Sequence, residues 1–264
     1  MKTNTTRTTL LRMSIPVLLM ALPGMAAVMH VSYDFGTDPG KTTYEDAGFT
    51  AGGSGLTITD ESDHVLMTAT SRHRGGILRT FDGLGGSERN NFTITAQYTI
   101  ADWDLDSSSE WQAHGILLFA QSPSETDLRN TGLGVHLQWH ANDNEDSVAI
   151  QTARAIGIGG GDTWAHSAIS AGDVMQWEVD VSYSGADDMF VTGTLTRIND
   201  GASQTVSSSA LSASSYGGEY FGFGGRYLGP ETHLDTFAVI PEPGTLMLVG
   251  IALGSLLVFR RRRK

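Results

Sequence analysis

The 264 residues contain no cysteine. That excludes a disulfide framework, a thiolate metal site and a cysteine nucleophile. Basic residues are also scarce, 17 Lys and Arg against 29 Asp and Glu, for a formal charge of −12. Eight of those cations sit at the two ends, Lys2, Arg7 and Arg12 at one and Arg260 to Lys264 at the other, so the middle carries about −20. Such a surface repels nucleic acid and anionic lipid, and it suits a soluble exported protein able to attract divalent cations. Stretches with amphipathic helical periodicity are few. No Gly-x-Ser-x-Gly elbow, His-Glu-x-x-His pair or phosphate loop occurs.

What is present begins at the ends. The N-terminus has Lys2, Arg7 and Arg12, an apolar run from Met13 to Leu22, a Pro23-Gly24 break and small residues to Ala27. This reads as a secretory signal peptide over 1–26, with Gly24 and Ala26 suiting the −3 and −1 positions of its cleavage site. The C-terminus has Ile240-Pro241-Glu242-Pro243-Gly244, an apolar run from Thr245 to Phe259, and five cations from Arg260 to Lys264. About fifteen apolar residues make a helix somewhat over 20 Å long. A bilayer core is roughly 30 Å thick. The run therefore crosses only if it starts at Pro243 and its terminal cations snorkel. Those cations belong on the cytoplasmic side, which leaves everything before Pro241 outside.

Pro241-Glu242-Pro243, the short apolar run and the Arg-rich end together resemble the PEP-CTERM sorting signal of bacterial envelope proteins. The likeness covers 240–264. It implies a transmembrane helix handled by an exosortase-type membrane protease that cuts near Pro241, Glu242 and Pro243. The anchoring is then transient, with delivery to the cell surface or an extracellular matrix.

Between the ends, 27–239 read as one all-β domain of 213 residues. Phe92 to Ile100 and Trp177 to Tyr183 alternate apolar and polar residues, the pattern of half-buried strands. Leu56 to Thr59, Val65 to Ala69, Gly115 to Ala120, Gly132 to Trp139, Phe190 to Ile198, Tyr220 to Phe223 and His233 to Val239 add further runs. Gly, Asp, Ser and Asn turns separate them, and Ser203 to Ser215 reads as a long loop. The pattern predicts a two-sheet antiparallel sandwich. Tyr33-Asp34-Phe35, Gly76 to Phe81, Gly115 to Phe119 and Leu234 to Val239 resemble the concanavalin A-like (laminin G-like) jelly rolls. That resemblance implies a structural calcium between the first and last strands, with Asp34 and Asp235 as ligands.

Several stretches invite a chemical reading. Asp102 to Asp106 begins like an EF-hand loop, but Ser107 stands where the turn glycine belongs and Ala113 where the bidentate glutamate belongs. Asn142 to Asp146 reads as a solvated hairpin loop. Glu125-Thr126-Asp127 matches half of the Glu-x-Asp-x-x-Glu of laminarinase-type glucanases, whose second glutamate is replaced by Asn130. His136 and His140 share one strand face about 13 Å apart, too far for one metal. No catalytic residue is assigned. Of five tryptophans, Trp139 and Trp164 lie beside polar or glycine-rich loops and are expected to stack on sugar rings, with His140 and Asn142 beside the first. The expected function is a non-catalytic, polysaccharide-binding envelope or matrix protein. The alternatives are a cryptic glycoside hydrolase or lyase and a purely structural matrix protein.

Overall fold

The computed structural model describes residues 31–35, 43–81, 84, 89–102, 112–123, 134–142, 145–152, 155–226 and 231–242. The segment 1–26 expected to be a signal peptide, Trp103, Trp111, Glu125 to Asn130, Pro243 and the apolar run 245–259 lie outside them. Among the described residues no helix is long and apolar enough to cross a membrane.

In chain order the strands are β1 (Val31–Asp34), β2 (Thr50–Asp60), β3 (Val65–Thr80), β4 (Phe92–Asp102), β5 (Gln112–Ala120), β6 (Val135–Asn142) and β7 (Glu145–Thr152). They continue as β8 (Ala155–Thr163), β9 (Val174–Ser184), β10 (Asp188–Arg197), β11 (Ala202–Ser207), β12 (Leu211–Ser212), β13 (Tyr220–Arg226) and β14 (Glu231–Pro241). They form one hydrogen-bonded path, β11-β10-β9-β4-β14-β3-β13-β5-β6-β7-β8, with β1 on β14, β12 on β10 and β2 on β3.

The path folds into two layers at β3. Val65–Thr68 of this strand pair with β14, whereas Arg74–Thr80 pair with β13. β2 follows it through the corner, and its register shifts between Ser54 and Leu56. A bulge of this kind is how a strand changes sheets. The closed ends then face each other, β11 packing across onto β7 and β8.

Alternation explains which side chains fill the space between. On β4, Phe92, Ile94, Ala96, Tyr98 and Ile100 are buried while Thr93, Thr95, Gln97 and Thr99 face outward. β9 buries Met175, Trp177, Val179 and Val181 in the same way. From the other layer come Ile77, Ile116, Leu137, Phe221 and Phe223, with Phe221 edge-on to Phe92 at 5.5 Å between ring centres. Each such side chain contributes about 1.5–3 kcal/mol on burial, and their sum replaces the missing disulfides.

Two segments differ from the sequence expectation. Ser203 to Ser215 is mostly strand, β11 and β12, because Thr205 and Ser207 pair with Thr194 and Thr192 of β10. The runs from Val65 and from Gly76 are halves of one 16-residue strand.

Candidate functional site

The site is built where β5 ends. Tyr220 pairs with Ala120 but Gly222 pairs with Leu117, so β5 carries one extra residue there. Phe119 absorbs it at φ 60°, a left-handed conformation that costs a bulky residue about 1–3 kcal/mol. The consequence is a change of parity. Leu118 and Phe119 both enter the core, while Leu117 and Ala120 join Leu78 in a second apolar cluster, against which Tyr220 packs half-buried. Gly218 lies so close to the Phe119 and Ala120 carbonyls that an added Cβ would collide with both. Strained backbone and bulges concentrate at functional sites.

The result is an open cleft of about 320 Å³ lined by Gln121, Gly217, Gly218, Glu219 and Tyr220. Ligand sites run from about 300 to 1,000 Å³. The lining supplies a half-exposed aromatic ring, a carboxylate that accepts, an amide that both donates and accepts, and backbone exposed at Gly217. That set suits a sugar, whose C–H face stacks on an aromatic ring while its hydroxyls need mixed donors and acceptors.

The expected stacking tryptophans do not serve. Trp139 is 0% exposed and lies on the core face of β6 with Val135 and Leu137, its ring 5.9 Å from that of His114. Trp164 is 4% exposed, donates from Nε1 to the Ser167 carbonyl at 3.2 Å and is covered edge-on by His166. Both indole faces are spent on packing. His140 and Asn142 fall on β6, and their side chains lie outside the described residues. Nothing in the sequence marks Tyr220 as a platform except the Gly217-Gly218 doublet before it.

The expected calcium ligands lie on neighbouring strands. Asp34 and Asp235 share the β1–β14 edge, Asp34 opposite Thr236. Asp235 accepts a hydrogen bond from Thr99 Oγ1 at 3.2 Å. Burial raises its pKa, against the pull of Thr99, His64 and His233. Calcium needs six to eight oxygens, and the described residues gather no group of three or more His, Asp or Glu able to hold a metal. Beside Asp235, His64 and His233 stack face to face at 3.8 Å with a 15° interplanar angle. His64 Nδ1 meets Asp63 at 2.7 Å and His233 Nε2 meets Glu231 at 2.6 Å. Nearly parallel rings aim their nitrogens along parallel planes, so they do not converge on one ion.

The tail begins within the fold. Pro241 is the last residue of β14, opposite Phe92, where its missing N–H costs nothing at a strand end. Glu242 N–H donates to the Asn91 carbonyl at 3.0 Å, and Asn91 Nδ2 donates to Glu242 Oε2 at 3.1 Å. Residues 239–264 match the PEP-CTERM protein-sorting motif. The chain carries a PEP-CTERM sorting signal. No curated protein matches the sequence. Among solved structures, lectin II from Ulex europaeus has a TM-score of 0.52 at 13% identity, covering 81% of this chain and 99% of the lectin. Arcelin-5, a lectin-like defence protein from Phaseolus vulgaris, has 0.49 at 12%, covering 81% and 98%. The alginate lyase Aly36B has 0.48 at 14%, covering 80% and 96%. The body ahead of the PEP-CTERM signal is therefore a lectin-like jelly roll. At such identities the likeness is one of fold and carries no chemistry across.

Proposed function

We propose that this chain is an exported cell-envelope protein that binds polysaccharide through the Tyr220 cleft and has no catalytic activity. The N-terminal signal peptide would start export. The PEP-CTERM signal would hold the chain in the membrane until an exosortase-type protease releases it to the cell surface or matrix. The observation that carries the binding reading is the cleft itself, an aromatic ring, a carboxylate and an amide grouped beside strained backbone in a lectin-like fold. A hydrolase needs two carboxylates about 5 to 9.5 Å apart, and among the described lining residues Glu219 is the one carboxylate. With a body charge near −20, neutral polysaccharides are favoured over uronates or sulfated chains.

The test is a glycan array probed with the purified chain and with Tyr220→Ala. The reading expects binding to neutral glycans that falls at least about tenfold in the variant, the equivalent of roughly 1.4 kcal/mol. Binding that survives Tyr220→Ala together with Glu219→Gln removes the cleft from the account.

A further inference from the structure

The first residues of the PEP-CTERM signal belong to the sandwich. β14 runs unbroken from Glu231 to Pro241, and the ladder with β4 continues to the last rung, Pro241 opposite Phe92. Glu242 is then held twice by Asn91, once through its own N–H and once through its carboxylate. Asn91 is itself fixed, because its Oδ1 accepts the Tyr183 N–H at 2.9 Å from β9. Both ends of one amide are thus used, one on the body and one on the sorting motif. Past Glu242, two residues precede the apolar run at Thr245, a reach of roughly 10 Å.

We infer that Asn91 is a latch that keeps the first half of the Pro-Glu-Pro motif folded into the sandwich and thereby limits the rate at which the tail is removed. A protease binds its substrate as a detached, extended segment, so cleavage near a structured site tracks the population in which that segment has opened. Here opening requires the Pro241 rung and both Glu242 hydrogen bonds to break, while the body stays packed behind them. The glutamate of the motif is the residue held, so recognition of that carboxylate and its contact with Asn91 exclude each other. The inference rests on the reading that the tail is processed, and it adds a residue outside the motif that sets the rate.

The informative variant is Asn91→Asp. The new carboxylate keeps an acceptor for the Tyr183 N–H but loses the donor to Glu242 and repels it. Two measurements on the full chain separate the latch from the processing reading. In purified full-length protein in detergent, the Glu242 amide should be protected from hydrogen exchange, and Asn91→Asp, which keeps the main-chain acceptor but loses the side-chain donor, should speed that exchange roughly three- to tenfold while the melting temperature shifts little. In cells that carry the sorting machinery, pulse-chase mass analysis should show tail loss roughly three- to tenfold faster in Asn91→Asp, the effect of one solvent-exposed hydrogen bond. Equal exchange of the Glu242 amide in both proteins would overturn the latch. So would tail loss that is unchanged or slower in the variant. If neither protein loses its tail, the processing reading and its rate-limiting latch both fail, and the exchange data alone judge the contact.

Discussion

His114 lies fully buried on the core face of β5, its ring 5.8 Å from that of Tyr98 and its Nδ1 3.2 Å from Thr232 Oγ1. Burial, with a smaller push from His136, lowers its pKa from 6.5 to about 3. A group whose folded pKa is depressed gives its full stability above its unfolded pKa and loses it as the pH falls. For His114 the loss runs from pH 6.5 down to about 3, at about 1.4 kcal/mol per pH unit. The melting temperature is therefore expected to fall steeply over that window. His114→Gln, which retains a polar partner for Thr232, should flatten the fall, and parallel melting curves at pH 7 and pH 4.5 check it. The platform residue is not legible in the sequence, where Trp139 is expected to stack and Tyr220 reads only as the start of a strand run. Trp139 lies inside β6 and faces the core, whereas Tyr220 opens β13, and the side of a sheet that an aromatic takes depends on strand parity. The extra residue at Phe119 reverses that parity on β5, and no local pattern announces it.

Among elements, the strands that alternate cleanly were legible. β4 and β9 bury one face and wet the other, so their period shows. β5 lies between β13 and β6, and its near-continuous apolar run marks it as central. The sequence did not disclose β8, because Ala155–Thr163 holds four glycines and its alternation is confined to Ile156 and Ile158. Nor did it disclose that β3 is one strand, since Gly75 and Gly76 look like a break but lie in the continuous ladder with β2 and β13, past the corner. Along β5 and β13, glycine serves close approach. A Cβ added at Gly115 would run into the Leu137 carbonyl of β6, and one at Gly222 into the Ile77 carbonyl of β3. Gly115→Ala should cost about 3 kcal/mol or prevent folding, the cost of a clash with immovable backbone. Gly217→Ala, with nothing within 4 Å of the added atom, should change stability by less than about 0.5 kcal/mol. Urea titration of the two variants side by side checks both.

For the molecule as a whole, the ends were more legible than the middle. A sorting signal is written in linear order, Pro-Glu-Pro, apolar run and cations, so it survives without a fold to interpret it. The proposed cleft is assembled from the residue after β5, the loop before β13 and the first residue of β13, about a hundred positions apart, and no spacing rule brings Gln121 to Tyr220. The same scale makes a prediction about the mature protein. Intact-mass analysis of chain recovered from the cell surface should show the 1–26 segment and the Arg260–Lys264 end both missing. A mature chain that keeps its terminal arginines would mean a lasting anchor. The acidic body would hold the released protein in solution and away from anionic lipid, leaving glycan contact as its means of retention.

That retention is most directly measured by titrating a neutral oligosaccharide chosen from the array into the purified chain while following the Tyr220 ring by NMR. The account predicts saturable shifts of the Tyr220 ring and the Gly217 and Gly218 amides, abolished in Tyr220→Ala. Saturable glycan binding that leaves those three residues unmoved, or a chain that binds no glycan at all, would contradict it.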